Sequence, residues 1–373
     1  MARRRREALR QIQFPEGTAK VVQEHEPIMV SVRQKQLVER GNPLFWHPQW
    51  EEAYKTLTSC RFQLKELGDF IPQDGGITYG QVGRRIYPPQ GTKVTLQNIP
   101  FLAQLRLPDN RRVNGVAYIQ VRNLTRTGID LYASPPRKRY IEEGSHNDPI
   151  RSRVEKRNLL IVRSGEGSIG RCIAVTYDPG RMNVDQHISK VQLDHLQAEF
   201  VAIFLQSQYG AKQIERMCAG VSGQIELDFD EFRSLLIPIP EDHSLRAIAG
   251  TYSHIVSFHD QGIQTKATGN AADAEYNLRI AEGMLETLIW QVEKLIKGER
   301  EEITPLLPEE APEKFRNALI EEYRRIGELH RQLEKGHRRG RILGIPTERY
   351  PEVAEEIERV LRFVEATLPE GEG

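Results

Sequence analysis

The sequence predicts an α/β (α+β) protein in which a twisted, mostly antiparallel sheet is followed by long coiled-coil-like helices. Two observations predict this fold. Before residue 240, short β-branched apolar runs alternate with Gly- and Pro-rich turns, a pattern typical of short strands. After it, apolar residues recur at intervals of three and four, the period of a packed helix. The predicted parts are an N-terminal arm with a lead-in segment (1–59), a sheet domain (60–240), a helical spacer (241–298), and an acidic linker with a helical C-terminal appendage (299–373).

The composition excludes several classes of protein. The chain has 373 residues, of which 39% are hydrophobic and 28% charged, enough for a core and a charged surface. No apolar segment follows the charges of the N-terminal run MARRRRE, and no apolar run reaches the ~20 residues that cross a bilayer. The three cysteines, Cys60, Cys172 and Cys218, are far apart and form no C-x-x-C pair. This spacing argues against a disulfide framework and a zinc site, and predicts a cytoplasmic protein without a metal.

The formal net charge of zero conceals two regions of opposite sign. From Arg61 to Arg171 there are 19 Lys and Arg against 10 Asp and Glu, whereas from Glu299 to Gly373 there are 13 against 18. Because the local field rather than the total charge attracts a polyanion, the sheet domain is the predicted nucleic-acid-binding part.

The first 59 residues lead into the sheet domain. Arg3–Arg6 are either an arm that touches DNA or a solvated tail, and the tail is favoured. A Pro-flanked aromatic cluster precedes a short amphipathic helix predicted near Glu51–Ser59, and core packing is its favoured role. The aromatic residues are Phe45, Trp46, Trp50 and Tyr54.

Two apolar runs, Leu159–Val162 and Cys172–Val175, flank the glycine-rich segment SGEGSIG and predict strand, turn and strand. The spacing Gly165-x-Gly167-x-x-Gly170 also fits the dinucleotide-binding fingerprint, which requires a helix after the glycines. The residues that follow, RCIAVTYDPG, have the composition of a strand and a turn. A hairpin with a small tip is therefore favoured over a nucleotide loop.

A further strand is predicted at Tyr118–Val121, and basic residues surround it in loop-like sequence. Such residues are expected to contact phosphates, since each neutralised phosphate releases counterions. An ordinary charged surface is the alternative, but the acidic share of this region is too low for a balanced surface. The candidate DNA contacts are Arg111, Arg112, Arg122, Arg126, Arg137, Lys138, Arg139, Arg151 and Arg153.

Helical periodicity spans Leu196–Met217, and Gly210 is the predicted break between two helices. Gln224 begins a run that returns the chain to the sheet. Glutamine can bind adenine through two hydrogen bonds, although a surface glutamine without a ligand is an equal alternative.

A second strong pattern lies in the helical spacer, where Leu278, Ala281, Leu285, Leu288, Val292 and Leu295 continue a heptad seam that begins at Ala274. The seam predicts contact with another chain or, alternatively, a hairpin with the preceding helix; the intermolecular use is favoured. After the Pro- and Glu-rich linker 299–312, two further helices are predicted at Glu313–Lys335 and Pro351–Thr367, with partner docking as their role.

The sequence offers little that suggests catalysis. Asn42–Phe45 lacks the second proline of the N-P-P-Y motif of DNA amino-methyltransferases, and there is no P-loop. His259 and Asp260 have no further ligand at metal-binding spacing, so they are expected on the surface. His187 has no identifiable nucleophile partner. The chain is therefore expected not to be an enzyme.

Five motifs, in order, resemble one family. They are GITYG (76–80), YIQVRNL (118–124), LLIVRSGEGSIGR (159–171), GVSGQIEL (220–227) and IPIP (237–240). Together they resemble one target-recognition domain of the DNA-specificity (S) subunit of type I restriction–modification systems. The resemblance covers about Leu64 to Pro240. A full S subunit has two such domains and two long helices, whereas this chain has one of each.

The resemblance implies a DNA-binding protein that gives sequence specificity to a separate adenine-N6 methyltransferase (M) subunit, and through it to a restriction (R) subunit. S-adenosylmethionine, ATP and magnesium would belong to those partners, with no cofactor on this chain. The motifs add Tyr79, Arg163, Ser164 and Arg171 to the candidate DNA contacts. A second copy paired through the heptad seam would supply the missing half and give a palindromic site. The alternatives are a methyltransferase that binds S-adenosylmethionine at Gly165–Gly170, and a docking protein that binds nucleic acid without sequence preference.

Overall fold

The computed structural model describes residues 50–81, 85–86, 105–106, 112–134, 140–221, 224–336 and 350–367. The basic arm Arg3–Arg6, the aromatic residues Phe45 and Trp46 and the Asn42–Phe45 segment lie outside these residues. Within them, no helix is both long and apolar enough to span a bilayer.

Short strands dominate the first part of the described chain and helices dominate the second. The strands are β1 (Gln63–Glu66), β2 (Ile77–Tyr79), β3 (Arg85–Ile86), β4 (Leu105–Arg106), β5 (Arg112–Val113), β6 (Gly115–Ile119), β7 (Tyr140–Glu142), β8 (Leu159–Val162), β9 (Cys172–Ala174), β10 (Met182–Val184), β11 (Ile188–Val191), β12 (Ala219–Val221), β13 (Gln224–Glu226) and β14 (Leu236–Ile239). The helices are α1 (Glu51–Ser59), α2 (Ala198–Gln206), α3 (Gln208–Met217), α4 (Phe229–Arg233), α5 (Asp242–Ala267), α6 (Ala271–Lys297), α7 (Glu313–Gly336) and α8 (Pro351–Thr367).

Two four-stranded sheets form the centre of the sheet domain. One has the order β2-β11-β8-β9 and is antiparallel throughout. The other has the order β10-β6-β7-β3, in which only the β10–β6 pair is parallel. Two-stranded pairs β1-β14, β12-β13 and β4-β5 complete the described strands. The predicted mixed fold with a mostly antiparallel sheet is confirmed.

Strand β8 explains why its sequence is apolar without interruption. Successive side chains of a strand point to opposite faces. Leu159 and Ile161 join the core that the first sheet shares with the helices, whereas Leu160 and Val162 join the core between the two sheets. Both faces of β8 are therefore buried, and the hairpin β8–β9 predicted from sequence is confirmed.

The predicted break at Gly210 is wrong. The two helices α2 and α3 meet at Ser207, whose extended backbone ends α2 and whose hydroxyl accepts a hydrogen bond from Gly210 N–H at the start of α3. A serine N-cap satisfies donors that the first turn of a helix leaves free. Gly210 lies inside α3, where a Cβ would come within 2.3 Å of the Phe204 carbonyl oxygen.

The heptad seam on α6 is covered by the chain itself, which corrects the prediction of an intermolecular interface. Helix α6 packs against α5 on one side and α7 on the other, and a Cβ at Gly283 would lie 1.8 Å from the Tyr323 carbonyl oxygen of α7. The seam therefore serves the intramolecular hairpin that was the alternative. Its residues Ala281, Leu285, Leu288, Val292 and Leu295 are buried, and Leu278 is half-buried beside Gly262.

The C-terminal helices α7 and α8 agree with the predicted bounds to within one residue. The linker before them has no helix or strand, but Ile303, Leu306 and Leu307 are buried in the same core. The Tyr323 hydroxyl of α7 donates a hydrogen bond of 2.8 Å to the Leu306 carbonyl. One apolar core thus runs from α1 through the first sheet to α8.

His259 and Asp260 are not exposed, although the sequence predicts that they lie on the surface. His259 is fully buried, and its Nδ1 lies 2.8 Å from the Thr127 hydroxyl of the loop after β6. Burial lowers the pKa of His259 to about 4 and raises the pKa of Asp260 to about 7. His259 is buried where α5 meets the sheet domain, and Asp260 beside it is half-buried.

The raised pKa of the half-buried Asp260 carboxyl predicts a pH-dependent gain in stability on Asp260→Asn. The folded-state pKa of about 7 exceeds the ordinary value of 3.8, so the wild-type protein loses stability as pH rises between these two values. The variant should match the wild type near pH 4 and exceed its free energy of unfolding by on the order of 2–4 kcal/mol above pH 7. Urea denaturation across this range measures the difference. The exposed Asp74→Asn should show no such trend, and a flat difference for Asp260→Asn would contradict the prediction.

Candidate nucleic-acid interface

Three neighbouring strands bring polar and aromatic residues to one edge of the first sheet. Tyr79 ends β2, Arg163 follows β8, and His187 precedes β11, which lies between β2 and β8. The Arg163 N–H donates to the His187 carbonyl at 2.9 Å, which closes the edge. Antiparallel pairing therefore collects residues that are up to 108 positions apart, from Tyr79 to His187.

The glycine-rich tip lies immediately beyond this edge. Gly165, Gly167 and Gly170 all have positive φ angles, which residues other than glycine rarely adopt. Strand β9 follows the tip, so the helix that a dinucleotide fingerprint requires after its glycines is absent at this position. The alternative of an S-adenosylmethionine loop at Gly165–Gly170 therefore has no helix N-terminus to support it.

The hairpin β12–β13 packs beside the glycine-rich tip. The Gly165 N–H donates to the Ile225 carbonyl at 3.1 Å, and the Leu227 N–H donates to the Arg163 carbonyl at 2.8 Å. Ser164 and Glu226 form the β-bridge between these bonds. Two motifs that are some sixty residues apart in the sequence thus form one continuous edge.

Arg163 is the centre of a group that we call the Arg163 cluster, formed by Tyr79, Arg163, Glu226 and Phe229. The guanidinium carbon lies 5.0 Å from the Tyr79 ring centroid and 5.4 Å from that of Phe229. The two centroids are 5.7 Å apart, so the guanidinium lies against both rings rather than between them. Glu226 is 3.6 Å from the guanidinium. Aromatic faces attract a cation, and contact with them fixes the plane of a guanidinium group.

His187 has a partner that the sequence did not reveal. Its Nδ1 lies 2.7 Å from the Ser164 hydroxyl, and the backbone N–H of His187 donates to the Asp185 carboxylate at 2.8 Å. A serine nucleophile needs a histidine that a third group orients. Among the described residues no carboxylate contacts the ring, and Ser164 is buried. The hydrogen bond therefore acts to hold the sheet edge together.

Three predicted DNA contacts have internal partners instead. Arg126 forms an ion pair with Glu286 of α6 and a hydrogen bond of 3.2 Å with Gln206 of α2. Arg153 binds the buried Asp148, and Arg171 donates to the Leu124 carbonyl at 3.0 Å. These guanidinium groups connect parts of the fold, which gives them a structural role. The sequence had predicted that they contact phosphates.

The Arg153–Asp148 pair shows why such an arginine is needed within the fold. Burial alone would raise the pKa of Asp148, but hydrogen bonds from Arg153, the Gly144 N–H and the Asn183 amide hold it below its ordinary value. The carboxylate is thus ionised at neutral pH and needs its cation. Truncating one partner of such a pair leaves a charge without compensation.

Two predicted contacts, Arg122 and Arg151, are exposed and form no ion pair within the described part of the chain. The Arg151 carbonyl accepts a hydrogen bond of 2.8 Å from the Thr78 hydroxyl, which places Arg151 beside β2. Arg111, Arg137, Lys138 and Arg139 lie outside the described residues. Arg112 and Gln224 lie in β5 and β13, but their side chains are likewise outside them.

Phe229 and Glu226 also belong to this edge, although the sequence patterns do not predict it. Phe229 begins α4 after the N-cap Asp228, a local pattern that indicates a helix but not its neighbour. No short-range signal connects either residue to Arg163, because the contact depends on the pairing of β13 beyond β8. Among the described residues, no group of His, Cys, Asp and Glu could hold a metal ion.

Gly167→Val should weaken DNA binding through strain at the tip. The φ angle of Gly167 is +73°, and the strain costs on the order of 1–3 kcal/mol. Gly75→Val is the matched control. Gly75 has nearly the same φ, +74°, but it precedes the start of β2, at the opposite end of that strand from Tyr79. Both variants should lose similar stability in denaturation, but only Gly167→Val should lose affinity for duplex. Equal affinity of the two variants would remove the tip from the interface.

No family model matches the chain, and no curated protein matches it. Similar solved structures include an S subunit of a type I restriction–modification system from M. genitalium, with 12% identity and a TM-score of 0.33. Another is the HsdS subunit from Thermoanaerobacter tengcongensis, with 14% identity and a TM-score of 0.29. A third is the type IIG restriction endonuclease BpuSI, with 11% identity and a TM-score of 0.34.

These similarities are partial in both directions. The alignments cover 64%, 71% and 72% of this chain, in the same order, and 50%, 55% and 37% of the three structures. The chain therefore spans about half the length of the two S subunits that it matches.

Proposed function

We propose that this chain recognises a DNA sequence on behalf of a separate enzyme. Its function is to direct an adenine-N6 DNA methyltransferase, and through it an ATP-dependent restriction subunit, to a target site. The chain itself is not a catalyst. S-adenosylmethionine, ATP and magnesium are bound by the partner subunits.

The observation that carries the proposal is the sheet edge formed by Tyr79, Arg163 and the β12–β13 hairpin. Its aromatic rings and its guanidinium group are side chains suited to base contacts, and they are held by a closed network of backbone hydrogen bonds. Arg151, which is exposed, lies beside the same strand. The excess of Lys and Arg in the sheet domain supplies the attraction to phosphates, which positions a protein on DNA without specifying sequence.

Two alternatives differ in measurable ways. A methyltransferase would bind S-adenosylmethionine as an isolated chain, and Gly167→Val would abolish that binding. A docking protein without sequence preference would bind all duplexes alike. The order of motifs that resembles an S subunit, together with the strand that follows the glycine-rich tip, favours the specificity subunit.

The experiment is a selection from a pool of duplexes with a randomised centre, performed with the purified full-length chain at two salt concentrations. The proposal predicts that a short motif is enriched at both concentrations, with affinity falling as salt rises. Calorimetric titration with S-adenosylmethionine should give no heat of binding. Retention of duplexes without any enriched motif would contradict the proposal in favour of the docking protein.

A single recognition unit reads only part of a site, so a second reader is part of the proposal. The buried seam on α6 does not provide its contact. The second reader therefore binds through another surface. A palindromic site would indicate a second copy of the same recognition unit, and a site with two unrelated halves would indicate a different one.

A further inference from the structure

The guanidinium of Arg163 has donors that the protein does not satisfy. Its Nε is enclosed without a hydrogen-bond partner, and its Nη groups make no hydrogen bond to any described residue. The side chain is 19% exposed. An arginine offers five N–H donors, and buried donors are nearly always paired in folded proteins. The Nη groups of the cluster can therefore donate hydrogen bonds to a ligand that carries acceptors.

Glu226 limits which ligand fits. It is 55% exposed and lies 3.6 Å from the guanidinium, too far for a hydrogen bond but close enough to compensate the charge. Asp228 and Asp230, both exposed, follow at the start of α4. The local charge is therefore not positive. A phosphate group would gain little here, and a neutral ligand with both acceptors and a donor would gain most.

The edge of a G·C base pair in the major groove has this chemistry. Guanine presents two acceptors, O6 and N7, which match the two Nη groups of an arginine, and cytosine presents the N4 amine, which donates to a carboxylate. Tyr79 and Phe229 fix the plane of the guanidinium, so that it can meet a flat base edge without losing its orientation.

We propose that Arg163 and Glu226 together recognise one G·C base pair, with Arg163 donating to the guanine and Glu226 accepting from the cytosine amine. This inference rests on the proposed function and assigns one position within its target. The aromatic rings of Tyr79 and Phe229 are the positioning residues for Arg163.

The test repeats the selection from randomised duplexes with Arg163→Lys and Glu226→Gln beside the wild type. Lysine keeps the charge but not the paired donors. Arg163→Lys should lower the preference for G at one position of the motif by roughly 5- to 150-fold and leave the other positions unchanged. Glu226→Gln should relax the same position and raise affinity for random duplex, because it removes a negative charge. Circular dichroism checks that both variants fold.

The outcomes separate the inference from the proposed function. If the wild type enriches no motif, the proposed function fails and the inference with it. If the wild type enriches a motif that both variants leave unchanged, the inference alone fails. A uniform loss of affinity with an unchanged motif in Arg163→Lys would assign Arg163 to a phosphate and likewise overturn the inference.

Discussion

Leu285→Glu should prevent the helices from folding rather than separate two copies of the chain. Leu285 is 1% exposed and lies in the core that α6 shares with the rest of the protein. Truncation of a buried leucine costs about 2–5 kcal/mol, and burial of a carboxylate without a partner adds several more. The sum is comparable to the whole stability of a typical domain, about 5–15 kcal/mol.

Circular dichroism and size-exclusion chromatography measure this result. The variant should be aggregated or largely unfolded at 25 °C, whereas Ala272→Glu, at an exposed position in the first turn of the same helix, should behave as the wild type. A folded Leu285→Glu monomer beside a dimeric wild type would restore the intermolecular seam and contradict the packing described above.

Glu286→Ala should destabilise the junction between the sheet domain and the helices by about 3–5 kcal/mol, the usual cost of removing one partner of a buried ion pair. The Glu286 carboxylate is 5% exposed, pairs with Arg126 and lies 3.5 Å from His330 Nε2 of α7. Without it, the Arg126 guanidinium, which is 17% exposed, would remain charged, and among the described residues only Gln206 would be its side-chain hydrogen-bond partner.

A double-mutant cycle with Arg126→Ala tests the pair, since the two losses should be less than additive by more than 1 kcal/mol. The surface pair of Lys55 and Glu51 on α1, at 2.6 Å and with side chains 74% and 28% exposed, is the control and should show a coupling below about 1 kcal/mol. The cycle also decides the role of Arg126. If Arg126→Ala left stability unchanged but weakened binding to every duplex, the residue would be a phosphate contact and the structural assignment would be wrong.

Local patterns predicted the elements of this fold well. The bounds of α1 and α8, the β8–β9 hairpin and the return of the chain at Gln224 follow from periodicity and turn residues within a few positions of one another. The break was predicted at Gly210 because glycine is a common helix breaker. It lies instead at Ser207, whose hydroxyl accepts a hydrogen bond from the first turn of α3 and so forms the N-cap.

The uses of these elements could not be predicted in the same way. A heptad seam has the same spacing whether its partner is another chain or the next helix, so the sequence alone left Leu285 ambiguous. Arg126 and Glu286 are 160 residues apart, and no short-range pattern distinguishes an arginine that will meet a buried carboxylate from one that meets a phosphate. The same holds for Arg163, whose neighbours are determined by strand pairing.

Genome-wide mapping of methylated adenines tests most directly whether this chain supplies the sequence specificity of an adenine methyltransferase, as we propose. Cells that contain the chain and its methyltransferase should carry N6-methyladenine at one short motif. Deleting the chain should abolish methylation at that motif, and restoring it as Arg163→Lys should return methylation with relaxed choice at one G·C position. Methylation that persists at the same motif without the chain would contradict the claim.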